Sequence, residues 1–214
     1  MTNIEKNIEF KKKVIIFDLD GVLIDSKSNM KKSWKAVQLK FDLSNIKFND
    51  YFIKIGFPFN DILEQLSIYS NYKNIKKCYD FTSIQNLNSI KFYSGIKKEL
   101  IKLNLMNFIL CIVTSKDIKR TNLILKEVKE LFTLVQCPKH SLRGKPNPDQ
   151  INHVIKKLNA KKNECVYIGD THVDYLSARN ANIDFIFANW GYGENKNYNS
   201  SINKISELYS IIKI

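Results

Sequence analysis

The stretch KKKVIIFDLDGVLIDS, residues 11–26, decides the fold. Three lysines lead into the apolar, β-branched run VIIF, which ends on Asp18; Asp20 comes two positions later, then Gly21, and a third acid at Asp25. A run this short, with no polar face, reads as a strand covered on both sides, as in the interior of a parallel sheet. Acids at its end then fall where such a sheet gathers functional groups, outside the carboxyl ends of its strands. Residues i and i+2 of an extended chain project to the same side, so Asp18 and Asp20 address one volume.

Further runs of the same kind follow: FILCIVT at 108–114, TLVQC at 133–137, CVYIGD at 165–170 and DFIFAN at 184–189. Between most of them lie segments with apolar residues three and four apart and lysine or glutamate on the other face: 95–105, 116–132, 148–160 and 173–181. Alternation of this sort predicts an α/β fold, a Rossmann-like doubly wound parallel sheet with helices on both sides. One stretch breaks the alternation. Residues 26–90 carry only helical patterns, such as MKKSWKAVQLKF and FNDILEQLSIYS, which predicts a small all-helical insert after the first strand. The expected organisation is therefore a core of 1–25 and 91–214 interrupted by a helical domain of 26–90.

Composition bounds the function. With 214 residues and 44% hydrophobic content the chain can bury a real core, and the formal charge of +13 attracts anions in general. Lysines recur along the whole chain without a basic stripe interleaved with aromatics, which argues against a dedicated nucleic-acid surface; the charge does not say which anion is drawn, and a small phosphorylated substrate fits it equally well. Cys78, Cys111, Cys137 and Cys165 form no CxxC pair, and two of them sit in apolar runs, as core thiols do in a reducing compartment. No secretory leader precedes Lys11 and no run approaches membrane-spanning length, so a cytoplasmic protein without a membrane partner is expected.

The polar groups at the predicted strand ends make a coherent set. Asp18 and Asp20 end the first strand, Thr114 and Ser115 the second and Asp170 a later one, while Lys145 lies in a loop just before a helix. Three carboxylates near one point repel each other unless a cation intervenes; an all-oxygen donor set without a Cys/His cluster favours Mg²⁺ over zinc. A carboxylate can attack phosphorus when metal and lysine offset the charge, and a second carboxyl one step away can trade the protons. Singly, each residue has an ordinary reading as a helix cap or a solvated loop group. Their conjunction, in order and each at a joint between elements, is what carries the functional reading.

DLDGVLIDS, VTSKD, GKPNPD and GDTHVD, in this order, resemble the four motifs of the haloacid dehalogenase-like (HAD) hydrolase superfamily. The helical insert resembles its C1 cap, and WGYG at 190–193 is similar to the phosphoglycolate phosphatase-like branch. The resemblance implies Asp18 as the nucleophile of an aspartyl-phosphate, Asp20 as general acid/base, and Thr114 and Lys145 as phosphoryl-binding groups, with Gly21 and Ser115 beside them. It further implies Mg²⁺ on the Asp18 carboxylate, the Asp20 backbone carbonyl and Asp170, with Asp174 orienting the site from behind. In capped relatives a loop equivalent to IGFPFND faces the catalytic end, which implicates Phe57, Phe59 and Asn60 in the substrate pocket; packing between helices is an equal alternative for them. Met30 stands where β-phosphoglucomutase-like relatives carry a histidine, Asn182 where relatives often carry glycine, and Asp20 argues against the dehalogenase branch.

The expected activity is thus a Mg²⁺-dependent phosphomonoester hydrolase. A phosphomutase and a non-catalytic binding protein of the same fold are its rivals. Among the tempting outsiders, His140 and His172 read as exposed or locally bonded loop residues, Arg143 as a surface arginine, and Trp34 and Trp190 as packing anchors.

Overall fold

The computed structural model describes residues 12–212. The remainder of the expected core domain, 1–11 and 213–214, lies outside the described residues. Six strands form one parallel sheet: β1 (Val14–Phe17), β4 (Ile109–Val113), β5 (Leu134–Gln136), β6 (Cys165–Gly169), β7 (Asp184–Ala188) and β8 (Ser201–Ile202). Their order is β5-β4-β1-β6-β7-β8. The chain runs outward from β1 to one edge, then returns to the other side of β1, so the order reverses between β1 and β6. A crevice opens outside the strand ends at such a reversal.

The period of two on β1 explains why the sheet is covered twice. Ile15 and Phe17 join Leu110, Ile112, Val166 and Ile168 in one cluster, packed by α5 (Ile96–Leu105) and α9 (Leu208–Ile212). Val14 and Ile16 join Cys111, Val113, Cys165 and Tyr167 in another, packed by α7 (Asp149–Leu158) and α8 (His172–Ala181). Both faces of one strand are therefore core, which is what the unbroken apolar run encodes. Register then levels the strand ends: Phe17 pairs with Ile112 on one side and Ile168 on the other. Asp18, Thr114 and Asp170 consequently emerge at the same edge.

The helical segment follows a two-residue strand, β2 (Ile24–Asp25), and ends at its antiparallel partner β3 (Lys91–Phe92). Between these lie α1 (Lys27–Phe41), α2 (Phe48–Phe52), α3 (Phe59–Gln65) and α4 (Tyr72–Gln85). They have a core of their own, in which Trp34 stacks on Tyr51 at 4.6 Å between ring centroids and Leu63, Ile75 and Tyr79 complete the packing. Trp34 also donates to the Ile46 carbonyl, while Trp190 donates to the Val22 carbonyl beside the main core. Both tryptophans pack as the sequence suggests.

Three points go beyond the sequence expectations or differ from them. The pattern over 116–132 does not give one helix: α6 (Ile118–Ile124) stops early and a single tight turn at Lys129–Leu131 follows. Leu125, Val128 and Phe132 all go into the core, and reaching it from one short helix requires the chain to bend. The second change is β8, whose two residues are too few for a periodicity signal. The third concerns Asn182, which takes the left-handed conformation at the end of α8 (φ 57°). Asparagine tolerates this position, so the turn persists without glycine.

Candidate active site

Asp18 sits one residue past β1, 5% exposed, and Lys145 reaches it from the loop ahead of α7. The Lys145 ammonium donates to Asp18 Oδ1 and to Asp174 Oδ1, each at 2.7 Å. Burial alone would lower the Lys145 pKa, but Asp174 and Asp18 outweigh it and hold the ammonium above its ordinary value. Asp18 is pushed up to about 7, first by burial and then by Asp174, against the pull of Lys145. Both oxygens of Asp174 are occupied: Oδ1 also accepts from the Tyr167 hydroxyl, and Oδ2 from the Thr171 amide and hydroxyl. Asp174 thus works as a fixed post for Lys145, and its reciprocal bond to Thr171 caps α8.

Asp170 is wrapped by the loop after β7. Its Oδ2 accepts from the Tyr192 amide at 2.7 Å, and its backbone carbonyl accepts from Gly193. A Cβ on Gly191 would lie 2.2 Å from the Asp170 Cβ, which gives the WGYG stretch a physical reason. Gly21 has the same role from the other side: at φ 88° it approaches so closely that a Cβ would meet Asp170 Oδ2 at 2.1 Å. Burial, followed by Asp174 and Asp18, raises the Asp170 pKa well above the carboxylate range.

The cradle fits a hard divalent cation. Asp18, Asp170 and Asp174 each offer a carboxylate oxygen within 4.8 Å of the others, all buried. Asp170 Oδ1 is sealed from solvent yet has no hydrogen-bond partner among the described residues. A buried acceptor left unpaired is costly. An all-oxygen set completed by such an acceptor suits Mg²⁺ better than zinc. Since Asp174 is spoken for by Lys145, Asp18 and Asp170 are the side chains with capacity to spare.

Thr114 and Ser115 follow β4 and face a cavity of about 70 Å³ that also contains Asp18, Asp20 and Lys145 in its lining. Phe57 and Phe59 line it from the helical segment, together with Met30, Tyr51 and Tyr79. Asn60 does not: it is exposed at the start of α3 and outside the lining, because the helix turns it outward. The loop around Gly56 presses on the strand-end loops. Ser115 donates to the Gly56 carbonyl at 2.8 Å, and Pro58 packs so tightly on Gly144 that a Cβ there would lie 2.4 Å from its Cγ.

Asp20 lines the same cavity but has partners of its own. Its Oδ1 accepts from the Ser26 hydroxyl and lies 3.2 Å from the Lys116 ammonium. Lys116 and Arg120 are functional candidates that sequence reading missed. Both are buried, both line the cavity, and Arg120 pairs with Asp117 on its own helix and with Asp80 on α4, the latter at 2.9 Å. Burial lowers the Lys116 pKa, partly offset by Asp20. The one available signal was position: Lys116 stands two residues beyond Thr114, at the mouth of the same strand.

The outsiders stay outside. Arg143 is exposed and forks onto Asp149 at the start of α7; His172 contacts the Tyr198 hydroxyl at 3.0 Å; His140 is exposed. No helix among the described residues is long and apolar enough to cross a membrane.

Comparison with known proteins identifies the family of the chain. The family model for haloacid dehalogenase-like hydrolases matches residues 15–188. A phosphoglycolate phosphatase of Colwellia psychrerythraea is 29% identical over 211 residues, covering 91% of this chain and 90% of that protein. The pyrophosphatase PpaX of Oceanobacillus iheyensis is 25% identical over 212 residues, covering 94% of this chain and 96% of that one. Among solved structures, a haloacid dehalogenase-like family hydrolase from Streptococcus pneumoniae superposes with a TM-score of 0.83 at 19% identity, covering 95% and 99% of the two chains.

Proposed function

The chain belongs to the haloacid dehalogenase-like hydrolase family, and on that premise we propose that it is a magnesium-dependent phosphatase acting on a small phosphorylated metabolite through an aspartyl-phosphate. The observation that carries the reading is the buried Asp18–Lys145–Asp174 chain beside the unpaired Asp170 Oδ1, at the mouth of a cavity that Thr114 shares. A charged substrate and a cation account for so many ionisable groups sealed in one place.

Lys145 holds one Asp18 oxygen and thereby aims the carboxylate at the cavity, while Thr114 and Lys145 bind the phosphoryl oxygens. Asp18 attacks phosphorus and the ester P–O bond breaks as Asp20, in its acid form, gives its proton to the leaving oxygen. Asp20, now a carboxylate, takes a proton from the water that attacks the aspartyl-phosphate; inorganic phosphate leaves and Asp18 is restored. Magnesium, when bound by Asp18, Asp170 and the Asp20 carbonyl, supplies the charge that keeps Asp18 ionised and draws electron density from the phosphoryl group. Residues 26–90 serve as a cap that closes the Gly56 loop over the reaction and excludes bulk water.

The cavity volume of about 70 Å³ supports a small substrate rather than a nucleic acid, since it accommodates only a handful of waters. Met30 brings no proton-transfer group to the lining, which favours hydrolysis over a phosphomutase. The four free cysteines accord with a reducing cytoplasm. The test is Asp18→Asn, assayed on an aryl phosphate with magnesium. Turnover is expected to vanish while the thermal unfolding transition persists; magnesium-dependent turnover in the variant would remove Asp18 from the role of nucleophile.

A further inference from the structure

Among the described residues, a single donor fixes the Asp170 carboxylate: the Tyr192 amide, 2.7 Å from Oδ2, while Oδ1 has no partner. The backbone that carries this amide is poorly able to hold itself. Gly191 and Gly193 flank Tyr192, and each passes so close to Asp170 that a Cβ would lie 2.2 Å from one of its atoms. Glycine is required there, and it leaves the loop a conformational freedom that other groups must restrain. Two side chains supply the restraint. Trp190 donates to the Val22 carbonyl at 3.0 Å. Tyr192 reaches the start of the helical segment, where its hydroxyl accepts from the Ser26 amide at 2.6 Å and donates to Asp25 Oδ1 at 3.2 Å. Its ring packs on Phe52 of α2, 5.1 Å between centroids.

The place of these contacts matters. Ser115 meets the Gly56 carbonyl, and Pro58 meets Gly144, at the rim of the cavity. Tyr192 instead meets the segment at β2, one of the two short paired strands through which the chain enters and leaves it. A swing of the segment about those strands moves Phe52 against the ring of the very residue whose amide holds Asp170.

We infer that Tyr192 is a positioning residue that ties the Asp170 carboxylate to the helical segment, so that the grip on a divalent cation and the seating of the segment over the cavity strengthen each other. The inference rests on the phosphatase reading, from which it takes the cation and the cap, and adds the link between them. With Oδ2 held by the amide, Oδ1 is left as a free acceptor in a preset orientation; a loosened loop lets the carboxylate turn, and the cation loses a prepared donor. The dependence runs both ways, because one coupling free energy acts on both partners. A cation that fixes Asp170 also fixes the loop, and the loop then holds β2 and Phe52.

Magnesium binding is measured by calorimetry on the full chain without substrate. Tyr192→Ala is expected to weaken it by about 10–100-fold, and Tyr192→Phe, which keeps the ring and loses the hydroxyl, severalfold. Phe52→Leu, on the helical segment and outside the cavity lining, should weaken it severalfold as well. In Tyr192→Phe the loss should lie in the magnesium concentration that turnover requires, with most of kcat recovered at saturation, a split that general destabilisation does not produce. Magnesium should also slow amide exchange at Ser26 and across α2 in the wild type and fail to do so in Tyr192→Ala. Unchanged magnesium affinity in whichever Tyr192 variant melts cooperatively overturns the inference. So does weakened binding in the Tyr192 variants alone, with Phe52→Leu unaffected and exchange in the segment indifferent to magnesium. Either result leaves the phosphatase reading standing as long as the wild type hydrolyses an aryl phosphate with magnesium. A wild type that binds magnesium and releases no phosphate overturns that reading alone, and one that binds no magnesium overturns both.

Discussion

Sealing one ammonium among three carboxylates ties the stability of the site to its charge balance. Lys145 is 1% exposed and compensates Asp18 and Asp174, with Asp170 in the same cluster. Lys145→Met keeps the length of the side chain and deletes the charge, leaving buried carboxylates that repel. Removing one partner of a buried ion pair costs about 3–5 kcal/mol, which for a chain of this size lowers Tm by about 10 °C. That drop is expected in buffer with a chelator, and magnesium should narrow it more in the variant than it raises the wild type. Equal melting in chelator would show that the lysine does not hold the carboxylates together. At this scale Asp18 and Asp170 stand out as polar residues at the end of an apolar run, and Lys145 as a lysine in a glycine- and proline-marked loop just before a helix. Lys116 and Arg120 do not: in a chain with 34 lysines and arginines, a buried cation looks like all the others. Asn60 misled for the opposite reason, since a loop known to face the site does not tell which of its residues a helix start turns outward.

Elements were readable where burial imposes a period and unreadable where the fold overrides it. The five strands inferred from apolar runs all occur, because a strand covered on both faces is made almost wholly of apolar residues. The break after α6 was invisible, as 116–132 contains neither glycine nor proline; what bends it is the pull of Leu125, Val128 and Phe132 into the core. The helical segment was legible as helices, but its separate core was not. Trp34 is the centre of that core, fully buried against Tyr51 on α2, with Tyr79 of α4 in the same cluster. Trp34→Ala is expected to cost about 3–5 kcal/mol through the cavity it leaves. The loss should be local, so amide hydrogen exchange ought to rise in α1, α2 and α4 while β1 and β4 keep their protection. Uniform loss of protection across both regions would mean that the helices and the sheet unfold as one cooperative unit.

For the molecule as a whole, charge is the property that sequence discloses and structure puts to use. The net +13 comes from lysines that recur along the whole sequence, whereas the groups at the cavity are largely paired off internally, so the excess acts at a distance on whatever approaches. An anionic phosphate ester is drawn toward such a surface, and the attraction is screened within about 8 Å at physiological ionic strength. Encounter should therefore weaken as salt rises while the chemistry inside the closed cavity, out of reach of mobile ions, does not. The expected result is a kcat/KM for a hydrolysed ester that falls severalfold between about 10 mM and 500 mM sodium chloride at fixed magnesium, with kcat nearly constant. A fall in kcat of the same size would locate the sensitivity in the ionic contacts at the cavity itself, of which Arg120–Asp80 joins α4 of the helical segment to α6. Independence of both parameters from salt would mean that the lysine-rich surface has no part in substrate capture, and that the buried cations alone select the anion.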